Sequence, residues 1–120
     1  MKLAVVEEAG VRVLEGSPDQ EFLSSVGDTN RLIEAWLTEG LASVLLHARN
    51  LTPAFFDLSS GDAGAILQKL RNFGIRLAIV CPQGQVRFSS RFGEMVAEEQ
   101  RKSHFGVFET RRAARDWLGY

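Results

Sequence analysis

Residues 63–81 read AGAILQKLRNFGIRLAIVC, and this stretch decides how the chain is built. Ala63, Ile66, Leu67, Leu70 and Phe73 recur at i, i+3, i+4, i+7 and i+10, which gathers them on one face of a helix. Gly74 supplies the stop, because glycine takes the left-handed conformation that ends helices at little cost. The period then changes at once. Ile75 through Cys81 is a β-rich run that halts at Pro82. Upstream, Val44, Leu45 and Leu46 form a short apolar run of the kind expected for a strand covered on both faces, with His47 at its C-terminal end. A strand, a helix and a second strand joined in this way predict two parallel neighbours in the middle of a sheet.

The flanks extend the same alternation. Leu3 to Val6 and Val11 to Val13, separated by Glu7-Glu8-Ala9-Gly10, read as a β-hairpin. Residues 17–25 have no clear period and read as a loop or a short strand. Asp28 is placed to cap a helix whose Leu32, Ile33, Trp36 and Leu37 share a stripe and which stops at Gly40. From Asn50 to Ser60 the chain carries Pro53 and the aromatic pair Phe55-Phe56, which suits a connection that dips into the core. Beyond a loop over residues 82–88, Phe92, Met95 and Val96 mark another amphipathic helix, followed by a short strand at Phe105 to Phe108. Thr110 can cap a last helix that packs back through Ala113, Ala114, Trp117 and Leu118. The expected fold is a single α/β domain over residues 1–120, a mostly parallel sheet with an N-terminal β-hairpin and about four helices, in the order β-β-α-β-α-β-α-β-α.

Composition narrows the function. A chain of 120 residues with 45% apolar and 24% charged residues is ordinary for one globular domain. A net charge of −1 and a pI near 6.1 give no field that holds phosphate backbones, so nucleic acid is not an expected partner. The acidic residues Glu7 to Asp28 precede most of the arginines, which gather between Arg71 and Arg115, a separation that two solvated faces explain. Glu7 and Glu8 interrupt the first apolar run too early for a signal peptide, and no segment approaches the ~20 apolar residues of a membrane span. The single cysteine, Cys81, excludes an internal disulfide, and the expected compartment is the reducing cytoplasm. Asn50-Leu51-Thr52 matches the glycosylation triplet, but Pro53 follows directly and the match is treated as chance.

Two resemblances enter here. The stretch from His47 to Leu58, continuing through Gly61, Ala63-Gly64, Ile66 to Lys69 and Arg76 to Val80, resembles the bacterial family known as domain of unknown function 4180. The likeness runs from Val44 to the closing Phe105 to Leu118 and implies a fold rather than an activity. Separately, Asp57-Leu58-Ser59-Ser60-Gly61-Asp62-Ala63-Gly64 is similar to the switch loop of STAS domains, which include anti-sigma factor antagonists. It departs from that loop by Leu58 after the aspartate and by one more residue between the glycines. In STAS domains the hydroxyl just before the glycine is phosphorylated by a partner kinase, and Ser60 holds that position here.

The chemistry of the loop stands beside the resemblance. A helix N-terminus exposes unpaired amides and a partial positive charge of ~0.5, which favours an anion on Ser60. Gly61 and Gly64 allow a close approach to backbone, while Asp57 and Asp62 either hold a kinase's metal or repel a bare phosphate. A plainer role is that Ser59 or Ser60 caps the helix and Gly64 eases its packing. The leading expectation is therefore a regulatory, protein-binding module, non-enzymatic and without cofactor, recognising an unidentified protein partner and open to homodimerisation. The rival is a small-molecule or lipid-binding domain with His47, Phe55 and Phe56 around an apolar pocket. A remote third reading pairs His47 with Cys81 as a hydrolase-like nucleophile. His104 has no metal-ligand spacing with His47, and the glycines lack the pattern of a nucleotide loop.

Overall fold

β1 (Leu3–Glu8) and β2 (Val11–Gly16) form an antiparallel hairpin closed by Ala9 and Gly10, both at positive φ, 51° and 80°. This is the mirror-image two-residue turn whose twist matches that of the strands it joins. The computed structural model describes residues 3–18, 21, 23 and 26–119. It continues through α1 (Thr29–Glu39), β3 (Ser43–His47), α2 (Asp62–Asn72), β4 (Arg76–Val80), α3 (Ser90–Arg101), β5 (Phe105–Phe108) and α4 (Arg111–Leu118). The element order is the one expected from the sequence. Most of the stretch 17–25 lies outside the described residues. Leu23, which is described, makes a single parallel bridge with Leu51, and its amide donates to the Asn50 carbonyl at 2.8 Å.

Among the described residues the sheet has five strands in the order β1-β2-β3-β4-β5, with every pair after the first parallel. Because each parallel strand lies beside its predecessor, right-handed crossovers deliver their helices to the same side. The core divides accordingly. On one face Leu14, Val44, Leu46, Leu77 and Ile79 pack with Leu32 of α1, Ile66 and Leu70 of α2 and Phe92 of α3. On the other, Val13, Leu45, Ala78 and Val80 meet α4 through Ala114 and Leu118. Alternate residues of one strand thus enter different layers, which is why β3 and β4 read as continuous apolar runs.

Local signals held where they were strong. Gly40 and Gly74 adopt positive φ behind α1 and α2, and Thr110 Oγ1 accepts the Ala113 amide at 3.1 Å as a cap on α4. Asp28 corrects the expectation for α1. It closes a 3₁₀ turn (Val26–Asp28) in helical conformation, its side chain accepts no cap bond, and its carboxylate lies 3.9 Å from Arg31. Leu37 also falls off the buried stripe, at 69% exposed, because fully buried Thr29 together with Leu32, Ile33 and Trp36 completes an i, i+3, i+4, i+7 set that excludes it. Phe73 is exposed and rests edge-on against half-buried Trp36 at 5.7 Å between ring centroids. Trp117 is half-buried under Phe108 and Arg76, while Ala113 faces solvent.

Candidate functional site

The turn leading into α2 is built by short hydrogen bonds. One 3₁₀ turn (Pro53–Phe56) ends at Asp57, whose Oδ1 accepts both the Ser59 amide at 3.1 Å and the Ser59 hydroxyl at 2.6 Å. A second (Leu58–Ser60) carries Ser60, whose amide donates to the Asp57 carbonyl at 3.0 Å. Ser60 Oγ donates to the Ala54 carbonyl at 2.6 Å and accepts the Asp62 amide at 3.2 Å. Gly61, at φ 82°, is the residue from which α2 starts, and its own side-chain position offers no cap. Ser60 therefore does cap-like duty from one residue further out. Asp57, Ser59, Ser60, Gly61 and Gly64 are exposed, and Asp62 is half-exposed. No atom comes within 4 Å of a Cβ built at Gly64, so the expectation that Gly64 eases helix packing is corrected: it leaves bare backbone facing solvent.

The three residues expected to line one pocket do not meet in one. Phe55 and Phe56 are 1% and 3% exposed, with ring centroids 5.4 Å apart, and both stack against Phe92 in the larger core layer. The reason lies in the 3₁₀ turn, which aims both rings inward under α2 and α3. His47 lies in register with Val80, whose side chain enters the α4 layer, so the imidazole is on the far side of the sheet from Phe55. Cys81 belongs to the Phe55 layer, and the sheet separates it from His47. The nucleophile pair is therefore absent. Burial also pushes the Cys81 thiol above its ordinary value, which disfavours the thiolate, although a hydrogen bond with the Val86 backbone opposes this.

Two clefts open at the C-terminal edge of the parallel strands. One of about 370 Å³ is lined by Cys81, Gly84, Val86, Phe88, Val96 and Phe108 among others. A second of about 470 Å³ is bordered by Arg49, Leu51, Pro53, Phe56, Val86 and Arg87. Val86, in the loop between β4 and α3, faces both.

Sequence reasoning missed a charge cluster on the α4 face. Glu15, near the end of β2, takes a two-pronged hydrogen bond from Arg111, with Nε at 3.0 Å and Nη2 at 2.7 Å, and its Oε2 lies 2.7 Å from His47 Nε2. Arg111 also reaches Glu8 at 2.9 Å, and Arg115 binds Glu8 at 3.2 Å. Burial raises the cost of ionising Glu15, but the hydrogen bonds from Arg111 and His47 outweigh it and hold the carboxyl below its ordinary value of 4.5. Glu8 is held low chiefly by its hydrogen bond to Arg111, and Arg111 is in turn held firmly protonated. Two signals were present in the sequence. Glu15 continues the Val11, Val13 alternation, which puts a carboxylate on an apolar face, and Arg111 starts a helix where the dipole disfavours a cation. Both call for a partner. With both oxygens of Glu15 engaged and the two clefts lined by other residues, the cluster ties α4 to the hairpin.

Among the described residues no helix is long and apolar enough to cross a membrane, and no three His, Cys, Asp or Glu side chains converge as metal ligands. Comparison with curated proteins and with solved structures returns no match. The family model described as Domain of unknown function (DUF4180) matches residues 8–118, nearly the whole chain, and the protein belongs to that family.

Proposed function

We propose that this domain is a STAS-like regulatory module that recognises a protein partner through the turn at residues 57–64 and is switched by phosphorylation of Ser60. The observation that carries this reading is the exposed Ser60 hydroxyl, hydrogen-bonded within the turn yet open to solvent at the start of α2. The sequential strand order, with three helices on one face, supports it as well. A phosphate on Ser60 removes the hydrogen now given to the Ala54 carbonyl and sets a dianion beside Asp57 and Asp62. The turn then opens, while the free amides at the beginning of α2 draw the anion toward the helix axis. Bare backbone at Gly61 and Gly64 lets a partner surface approach closely enough to sense the change. Mass spectrometry of protein purified from its native host is expected to find Ser60 modified, and Ser60→Ala and Ser60→Asp are expected to differ in the partner they recover. An unmodified Ser60, together with identical recovery by both variants, would refute the switch.

A second reading, binding of a small apolar molecule, is favoured by the two clefts that share Val86 at the strand ends, where open α/β sheets commonly hold ligands. Phe56 is the one residue of the expected aromatic pocket that takes part. Val86→Trp fills both clefts and is expected to abolish binding of an apolar fluorescent probe. Equal probe binding by the variant removes this reading.

A further inference from the structure

β1 is the last strand on its side of the sheet, and among the described residues nothing pairs with its outer edge. The hairpin turn fixes which backbone groups that edge presents. In a two-residue turn of this type the flanking pair, here Glu8 and Val11, exchanges both of its backbone bonds, and the exchange then recurs at every second residue. Glu8, Val6 and Ala4 thus face β2. The amides and carbonyls of Leu3, Val5 and Glu7 turn outward. Natural sheets protect such an edge with proline, charged side chains, a bulge or a very short strand. β1 has no proline and no bulge over its six residues, its one charge in the outward set is Glu7 at the end beside the turn, and its register with β2 runs unbroken. Val5, at the centre of the outward set, is 41% exposed.

We infer that two copies of this chain join edge to edge through β1, antiparallel about a two-fold axis at Val5, so that two five-stranded sheets become one of ten strands. The register follows from self-complementarity. Centring the axis on Val5 pairs it with Val5 of the second copy and pairs each Leu3 with Glu7, which engages every outward residue. Centring on Val6 leaves Leu3 opposite the turn, and centring on Glu7 sets two carboxylates face to face, which is unfavourable. In the Val5 register the side chains of Leu3 and Val5 cover one another on the three-helix side, and no like charges oppose. Glu8, on the other face, stays with Arg111 and Arg115. The same strand thus supplies both halves of the contact, and the occupant is a second copy rather than an unrelated strand.

Sedimentation of the full chain over a wide concentration range is expected to show a mass rising toward twice 13.3 kDa. Val5→Pro deletes an outward amide without touching the β2 ladder, and is expected to give a folded monomer. Val5→Cys tests the register independently of that variant's folding. The paired α-carbons of a hydrogen-bonded pair lie ~5.5 Å apart, within disulfide range, so mild oxidation is expected to link two copies covalently. Ala4→Cys, set opposite Val6, is expected to remain unlinked, and the native Cys81 is buried. A wild-type chain that stays monomeric up to its solubility limit overturns the inference. So does a dimer that persists in folded Val5→Pro, or cross-linking at position 4 in place of position 5.

Discussion

Gly16 ends β2 at a point where a side chain does not fit. A Cβ there would stand 2.7 Å from Asn50 Oδ1 and 2.9 Å from a Leu46 methyl. The neighbour cannot yield, because Asn50 is fully buried and its side-chain amide joins two strand ends, accepting from the His47 amide at 2.7 Å and donating to the Ser17 carbonyl at 2.6 Å. Asn50→Ala leaves both backbone groups without that partner and is expected to cost about 2–4 kcal/mol in urea unfolding, while Gly16→Ala is expected to cost about 1–3 kcal/mol by overpacking. The two together should cost less than their sum, since removing the Asn50 amide makes room for the methyl. Strict additivity would contradict the contact. Neither residue was legible in the sequence, where Gly16 reads as the end of a strand and Asn50 as part of a loop. Asn50 and Ser17 lie 33 positions apart, and only the parallel pairing of β2 with β3 brings them together.

Among the elements, α4 depends most on charge. It is eight residues long and begins with two arginines, against its own dipole, so the carboxylates of Glu8 and Glu15 hold its start in place. Its far end is held by Arg76, which donates to the carbonyls of Trp117 and Leu118 and lies 4.6 Å over the Trp117 ring. The folded state keeps the Glu15 carboxyl below 4.5. Its stabilisation is therefore complete above the ordinary carboxylate range and is lost as pH falls below 4.5 through the depressed value. Glu15→Gln is expected to lower stability at neutral pH by about 1–3 kcal/mol, with the wild-type and variant denaturation midpoints converging as the solution is acidified. Parallel midpoint curves across that range would remove the role given to Glu15. The helices and strands themselves were readable, because each repeats its period over several residues. The 3₁₀ turns between β3 and α2 were not, since three or four residues hold no period, and the inward aim of Phe55 and Phe56 depends on those turns.

At the scale of the whole molecule the two faces of the sheet are unequally covered. Among the described residues three crossover helices seal one side, and α4 alone covers Val13, Leu45, Ala78 and Val80 on the other. The sequence showed that β3 and β4 are buried on both faces but could not say by what, because the side taken by each helix follows from strand order. The boundary between the turn and α2 was legible from the change of period at Ala63, and the structure leaves Asp57, Ser59, Ser60, Gly61 and Gly64 exposed there. A chain ended after Thr110 is expected to keep β-sheet circular dichroism while binding an apolar dye and aggregating on warming; a truncated chain that stayed monomeric and dye-free would show that α4 is dispensable.

The position of α4 also governs how the protein is made. α4 is the last of the described elements in chain order, so while the chain is being made the strands that emerge ahead of it do so with their second apolar face still uncovered.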